Sequence, residues 1–292
     1  YYAKDYSLAI EKFDIIDDND RDKKLLLSTI GICYYNLYQY DRADSVNVLA
    51  LRYVREQGDL KSEARLLMNI GLIAYLLKQP ERQVKYLNDA LIIANQINDR
   101  YLAQLLSGNL GVAHQLNGNF PAASVQFEKA FNIAAQIRNY PAAAKWGARH
   151  AQMLYYLRDF SGALAAYDQA ERFALLSKDD LTKYKIHLEK ANIYSYLQQN
   201  DLSEKVYLEA LAIAQRMLQP DQIHAIKVRL ANILLRKNRY QPARQIYLDY
   251  INFLKTQKTK TSESPLYWMW KYAQTFISEG NSEQARLHLL KA

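Results

Sequence analysis

Few side chains in this 292-residue sequence have the types and spacing that catalysis or metal binding requires. The five histidines form no HExxH or His-x3-His pair, which are spacings that place two imidazoles on one metal ion. Cys33, the single cysteine, excludes an internal disulfide framework and is more typical of a buried, inert thiol than of a nucleophile. The nine glycines are scattered and build no phosphate-binding loop. We therefore predict no catalytic residue, no metal, no cofactor and no enzyme.

The side chains that remain as candidates for binding are the many Lys, Arg, Asn, Gln and Tyr residues. Lys and Arg number 38 against 30 Asp and Glu, so the formal charge is +8. An Asn or Gln amide can bond both the N–H and the C=O of an extended peptide, and an Arg guanidinium can hold a carboxylate through two parallel hydrogen bonds. Such contacts hold a ligand only when several share one surface, so the elements that carry them decide where a ligand can lie.

Small residues that recur every 40 positions define those elements. From Gly111 this interval leads to Gly31, Gly71, Ala151, Ala191 and Ala231, and from Ala130 it leads to Ala50, Ala90, Ala170 and Ala210. Each unit holds two apolar patterns with helical spacing, helix A and helix B, joined by short polar turns. Where A and B cross, a small residue lets the backbones approach, and large residues such as Phe127 and Tyr167 fill the space beside it. The units therefore predict a stack of antiparallel helix hairpins.

This pattern resembles the tetratricopeptide repeat (TPR) family. Gly111, Ala123, Phe127 and Ala130 match the family's small residues at positions 8 and 20, its aromatic residue at position 24 and its alanine at position 27. Gln83 departs from the pattern at position 20 of one unit. The 40-residue spacing is similar to that of the long-repeat subclass of Pins/LGN-type scaffolds and of bacterial TPR regulators. The resemblance implies an all-α, right-handed superhelix (an α-solenoid) of about seven helix-turn-helix repeats plus an opening half-repeat.

The resemblance also implies a single TPR array over residues 1–292. Its units are expected at approximately 1–22 (the half-repeat), 23–58, 59–98, 99–138, 139–178, 179–219, 220–258 and 264–292. No apolar run approaches the ~20 residues that a membrane-spanning helix needs, so we expect no membrane insertion. The single cysteine fits a reducing compartment, and we expect a cytoplasmic location. The sequence starts in mid-repeat without a methionine, as expected of an excised or processed piece.

In this family, positions 2, 6, 9 and 13 of helix A line the concave groove. At 100° per residue these positions lie opposite positions 4, 7, 8 and 11, which face the core. The candidate peptide-binding residues are Asn69, Leu72, Asn109, Val112, Lys145, Arg149, Gln152, Tyr156, Lys185, Glu189, Asn192, Tyr196, Arg229, Asn232, Arg236 and Lys271. The first three units present an apolar floor, and from Lys145 and Arg149 onwards the floor becomes polar and basic. A helix face opposite the core is often simply solvated, so these charges also fit a surface without a ligand.

The main hypothesis is a non-catalytic protein-interaction scaffold that binds a peptide or a partner helix in this groove. We expect the partner to carry an apolar section followed by an acidic one, and alanine substitution of Arg149 and Arg229 tests the acidic part. The alternative is a sensory or regulatory TPR segment of a larger protease, kinase or transcription factor. Nucleic-acid binding is a minor alternative, because the basic residues are mixed with acids and match no binding motif. A salt-dependent gel shift separates it from peptide binding.

Overall fold

A computed structural model describes Tyr6, residues 20–256 and residues 265–290. Helices account for the regular structure of these described residues, and no strand occurs among them. In chain order the helices are α1 (Asp20–Asn36), α2 (Tyr40–Glu56), α3 (Leu60–Leu76), α4 (Pro80–Gln96), α5 (Arg100–Leu116), α6 (Phe120–Gln136), α7 (Tyr140–Tyr156), α8 (Phe160–Leu176), α9 (Asp180–Tyr196), α10 (Asn200–Arg216), α11 (Pro220–Arg236), α12 (Tyr240–Thr256), α13 (Pro265–Ser278) and α14 (Ser282–Leu290). Odd numbers are A helices and even numbers are B helices. The all-α prediction and the seven helix pairs are therefore confirmed over this part of the chain.

Short links with one recurring backbone geometry join the helices from α1 to α12, and α13 to α14. At the end of α3, the N–H of Lys78 donates to the carbonyl of Tyr75 at 3.0 Å, and Lys78 has a left-handed φ of 57°. An Asp or Asn side chain then often caps the next helix. That of Asp99, for example, accepts from the N–H of Leu102 at 2.9 Å. Because stop and start signals alternate in this way, the helices from α1 to α12 begin at an even spacing along the chain, and each pair of them makes up one repeat unit.

The chain divides into two compact units, each made of several repeats: Tyr1–Ala166, which we call the first unit, and Tyr167–Ala292, which we call the second unit. In the first unit, consecutive helices pack on one another, and one cluster of buried apolar residues extends from α1 to α5. A Cβ atom at Gly111 would come within 2.5 Å of the Phe127 ring, so the close crossing of α5 and α6 requires glycine there. This contact confirms the predicted role of the small residue at position 8.

In the second unit, consecutive helices from α9 to α14 pack on one another in the same way. Tyr207 shares a buried cluster with Ala191, and Tyr247 shares another with Ala231. Tyr247 is fully buried and Tyr207 is nearly so. Alanine at position 8 and an aromatic ring at position 24 therefore form the crossings of this unit, as the sequence predicts.

Two predictions fall on residues that the structure does not describe. The opening half-repeat at residues 1–22 lies almost wholly outside the described residues, although α1 begins at Asp20, slightly before the predicted unit boundary. The connection of residues 257–264 also lies outside them. None of the described helices is both long and apolar enough to cross a membrane.

Candidate peptide-binding surface

The sixteen predicted groove residues lie on the side of helix A that we call the A-helix face, defined by positions 2, 6, 9 and 13. All sixteen are exposed or half-buried. On the same helices the residues at position 8, such as Gly71 and Ala191, are buried against helix B. The helical period therefore separates the packing residues from the A-helix face.

The second unit has a cavity of about 450 Å³ on this face, between α9, α11 and α13, which we call the polar pocket. It is lined by Asn192, Ser195, Tyr207, Arg229, Asn232, Leu235, Arg236, Lys271 and Gln274. Asn192, Arg229, Asn232, Arg236 and Lys271 are among the residues that the sequence predicts for the groove. The fold brings these five together because they are contributed by three successive A helices.

Two tyrosines of helix B orient the asparagines of the polar pocket. The Tyr207 hydroxyl donates to Oδ1 of Asn192 at 2.6 Å, and the Tyr247 hydroxyl donates to Oδ1 of Asn232 at 2.8 Å. Burial raises the pKa of Tyr207 to about 12, although the charge of Arg229 opposes this, and burial also raises the pKa of Tyr247. Both hydroxyls therefore stay protonated near neutral pH and direct the amide oxygens inwards.

The polar groups of the pocket differ in how many of their hydrogen-bond donors already have an acceptor within the protein. The amide nitrogen of Asn192 donates to Oε2 of Glu189 at 3.2 Å, whereas that of Asn232 meets no acceptor among the described residues. Arg236 donates to the carbonyl and the hydroxyl of Ser195, both at 3.0 Å. Arg229 bonds only the carbonyl of Ala225, one turn earlier on its own helix, within the described part of the chain. The Asn232 amide, the Arg229 guanidinium and the Lys271 ammonium, which has no acceptor among the described residues, therefore keep donors for a ligand.

The first unit has a cavity of about 350 Å³ at the corresponding place, which we call the apolar pocket. It is lined by Gly31, Ile32, Tyr35, Asn36, Asn47, Asn69, Leu72 and Ile73. At equivalent repeat positions, the polar pocket has Asn192 in place of Ile32, Asn232 in place of Leu72 and Arg229 in place of Asn69. The same backbone site is thus apolar in one unit and cationic in the other.

The other predicted residues of the first unit lie on α5 and α7, outside the apolar pocket. They are Asn109, Val112, Lys145, Arg149, Gln152 and Tyr156. Arg149 donates to Oε1 of Gln115 at 3.1 Å and lies 5.8 Å from the centroid of the Phe127 ring. Burial lowers the pKa of Arg149. Arg149 is therefore partly engaged by neighbours of its own unit.

On α9, the predicted residues Lys185, Glu189 and Tyr196 do not line the polar pocket, whereas Ser195 and Tyr207 line it without having been predicted. Ser195 lies one turn beyond Asn192, so the i, i+3 rule was an available signal. The repeat pattern predicts packing for an aromatic residue at position 24, such as Tyr207, and does not indicate the bond that its hydroxyl makes.

The histidines and the cysteine have structural surroundings. His187 is buried between two carboxylates, with Nε2 2.8 Å from Oε1 of Glu171 and Nδ1 3.1 Å from Oε2 of Glu209. The second contact lacks the alignment of a hydrogen bond, so Glu171 is the carboxylate that bonds His187. Cys33 is buried, which raises its pKa and keeps it a thiol. Among the described residues no group of histidines, cysteines and carboxylates has the arrangement of a metal site.

Comparison with known proteins supports the fold that the helices show. Residues 184–216 match the family model for the tetratricopeptide repeat. No curated protein has a significant match to the chain. A STAND signal-transduction ATPase with a tetratricopeptide repeat sensor, from Pyrococcus horikoshii, matches 97% of this chain at 14% identity with a TM-score of 0.73. The match covers 45% of that protein, so this chain spans less than half of its length.

Two further solved structures match over most of both chains. The apo form of RapI covers 98% of this chain and 79% of its own, at 14% identity and a TM-score of 0.69. The C-terminal part of a TPR repeat-containing protein from Cytophaga hutchinsonii covers 88% and 96%, at 18% identity and a TM-score of 0.68. Residues 184–216 are thus a tetratricopeptide repeat, and the described residues on either side continue as a helical repeat array of the same fold.

Proposed function

We propose that this chain is a non-catalytic scaffold that binds an extended peptide along the A-helix face, with an acidic segment of the peptide in the polar pocket. The observation that carries the proposal is the convergence of Arg229, Arg236 and Lys271 with the two oriented asparagines in one cavity of about 450 Å³. The TPR fold, which generally serves protein interaction, supports this function class.

The hydrogen-bonding capacity of the pocket suits a peptide better than a small neutral ligand. Asn232 offers an amide N–H group for a peptide carbonyl, since its oxygen is held by Tyr247. Arg229 presents the cationic group for a carboxylate side chain.

The binding of a fluorescein-labelled, acetylated hexaglutamate peptide tests the proposal by fluorescence anisotropy. We expect Arg229→Ala to weaken this binding by about tenfold, equivalent to ~1.4 kcal/mol, because one charge-assisted contact is lost. Arg149→Ala applies the same test to the first unit. The matched control is Arg216→Ala on α10, which removes an exposed guanidinium outside the polar pocket.

The outcomes separate site binding from general attraction to a basic protein. Equal losses for Arg216→Ala and Arg229→Ala would indicate non-specific charge attraction, and no loss for Arg229→Ala would exclude the polar pocket as the site. A hexaglutamine peptide should bind much more weakly than hexaglutamate if carboxylates are recognised.

A second candidate function is a sensory or regulatory segment within a larger protein. It is favoured by the match to the STAND ATPase, in which a tetratricopeptide repeat sensor is joined to other domains. Sequencing the gene on both sides of this chain tests it, since an adjoining ATPase, kinase, protease or DNA-binding domain would support the regulatory context. The surface chemistry of the A helices is the same in both functions.

A further inference from the structure

The residue at position 24 of helix B lies directly against position 8 of helix A in successive helix pairs. A Cβ atom at Gly31 would come within 2.6 Å of Nδ2 of Asn47, and one at Gly111 within 2.5 Å of the Phe127 ring. At Gly71 the nearest atom is Cγ of Leu87, at 3.0 Å. Asparagine, leucine and phenylalanine therefore occupy equivalent places in the first three pairs.

This place forms the floor beneath the A-helix face. Arg149, on the A-helix face of the fourth pair, lies 5.8 Å from the centroid of the fully buried Phe127 ring of the third pair. In the second unit, Tyr207 at the same repeat position is part of the lining of the polar pocket. The size of the residue at position 24 therefore determines how deep the floor lies.

Asn47 leaves the floor of the first pair open. Its carboxamide is shorter than a benzyl side chain, and the apolar pocket lies above it with a volume of about 350 Å³. The amide nitrogen of Asn47 donates to the Ala43 carbonyl at 2.7 Å, which holds the side chain down against its own helix. The walls are Ile32, Tyr35 and Leu72, which are 53%, 42% and 37% exposed.

We propose that the apolar pocket is a subsite for one aromatic side chain of the partner peptide. The inference deepens the proposed function, because it takes the partner to be a peptide along the A-helix face. An aromatic ring is the occupant because the chain itself places rings at position 24 of other pairs. These rings are Phe127 in the third pair, and Tyr207 and Tyr247 in two later pairs. The ligand ring lies above Asn47, in the space that the shorter carboxamide leaves open, and the Tyr35 ring offers an aromatic contact at the rim.

The test uses N-acetyl-L-phenylalanine amide as the probe and follows the side-chain amide signals of Asn47 and Asn69 by NMR. We expect saturable shifts with this probe, and at least tenfold weaker effects with N-acetyl-L-alanine amide. Asn47→Phe should fill the pocket and weaken probe binding by at least tenfold. In this variant the Asn69 signal reports the binding, because the Asn47 amide is absent. It should keep the thermal stability, because the pair of Gly111 and Phe127 accommodates the same ring.

Two further variants keep the test decisive if Asn47→Phe does not fold. Leu72→Asn changes an exposed wall residue to the type found at Asn232, and it should also weaken probe binding by at least tenfold. Leu87→Phe makes the matched change in the next pair and should leave probe affinity within twofold. Unsaturable shifts, or unchanged affinity in Leu72→Asn and in Asn47→Phe if the latter folds, would overturn the subsite.

The same variants distinguish this inference from the proposed function. Arg229→Ala should leave binding of the phenylalanine probe unchanged, and Asn47→Phe should leave binding of hexaglutamate unchanged. If the unmodified protein binds the phenylalanine probe but not hexaglutamate, the polar pocket is refuted and the aromatic subsite stands. If it binds hexaglutamate but not the phenylalanine probe, the aromatic subsite is refuted and the polar pocket stands.

Discussion

Tyr207 and Tyr247 each have two roles, one in packing and one in shaping the A-helix face. Their rings fill the crossing of two helices, and their hydroxyls set the orientation of Asn192 and Asn232 on the A-helix face. In the third pair the corresponding residues are Phe127 and Val112, which need no such bond. The choice of tyrosine or phenylalanine at position 24 thus follows the polarity of the residue at position 9 of the paired A helix.

Removal of the Tyr247 hydroxyl tests this coupling. Tyr247→Phe should lower the free energy of unfolding by about 1 kcal/mol, because Oδ1 of Asn232 loses its donor. Asn232→Val should also destabilise, because the hydroxyl then lacks its acceptor. The double variant recreates the combination of the third pair, so its cost should be smaller than the sum of the single costs.

Denaturant unfolding measures the three variants, with Tyr267→Phe as the control. Tyr267 is 51% exposed, so the loss of its hydroxyl should change stability by less than about 0.5 kcal/mol. Strictly additive costs in the cycle would show that the tyrosine and the asparagine act independently.

The residue-level predictions were accurate where one helix decides the outcome and incomplete where two helices meet. The exposure of Arg229 and Asn232 follows from their position on a single helix, and the structure agrees. The bond from Tyr207 depends on the offset between α9 and α10, which a single-helix pattern does not contain. The pocket above Asn47 depends on the absence of a ring, and a repeat signature describes only the rings that are present.

At the scale of elements, the left-handed residue in each described link is a repeated structural requirement. Gly118 meets it with φ 73°, whereas Leu218 and Arg158 adopt φ values of 50° and 64° with full side chains. The link ends one helix and lets the next begin within a few residues, so its geometry maintains the even spacing of the helices.

Gly118→Ala measures what this geometry costs. A Cβ atom at Gly118 would have no neighbour within 4 Å, so the expected loss of about 1 kcal/mol arises from the left-handed backbone alone. Gly118→Asn should lose clearly less, since asparagine tolerates this region. Thermal unfolding compares the two, and equal losses would show that another property of glycine matters at this link.

A second element-level feature is the cluster around His187, which joins α8, α9 and α10. Glu171 accepts from His187 at 2.8 Å and from Lys190 at 3.1 Å. The hydrogen bond from His187 is the main reason why the pKa of Glu171 falls from 4.5 to about 2, against the opposing effect of partial burial. The folded state therefore favours the charged carboxylate more than the unfolded state does.

The pH dependence of stability follows from this direction. Because the folded pKa of Glu171 is the lower one, its contribution is complete above about pH 4.5 and is lost as the pH falls towards about 2. Glu171→Gln should reduce stability at neutral pH and flatten the decline between these two values. Glu128→Gln removes an exposed carboxylate and serves as control. A Glu171→Gln profile parallel to the wild-type profile would contradict the assignment.

The elements themselves were predictable to a large extent, because local signals repeat. Small residues recur every 40 positions, and this spacing predicted the helix pairs that the described residues show. The cluster of His187 was not predictable, because Glu171 lies on the preceding helix and Glu209 on the following one. Only the packed structure shows that they converge.

At the scale of the whole molecule, the same site is repeated with opposite chemistry. Equivalent repeat positions carry Ile32, Leu72 and Asn69 in the apolar pocket and Asn192, Asn232 and Arg229 in the polar pocket. Each pocket lies within its own compact unit. The repeat therefore provides the framework, and substitution on the A-helix face provides two kinds of surface chemistry.

This division predicts that salt acts on the two pockets differently. Raising NaCl from about 0.05 M to about 0.5 M shortens the screening length severalfold, so hexaglutamate binding should weaken by about tenfold or more. Binding of N-acetyl-L-phenylalanine amide should change by less than about twofold, because burial of an apolar ring involves no charge pair. Both titrations use the same protein, so a general effect of salt on folding would shift both. Equal weakening of the two probes would therefore contradict separate apolar and cationic pockets, whereas a loss confined to hexaglutamate would place the charge dependence on residues such as Arg229 and Lys271.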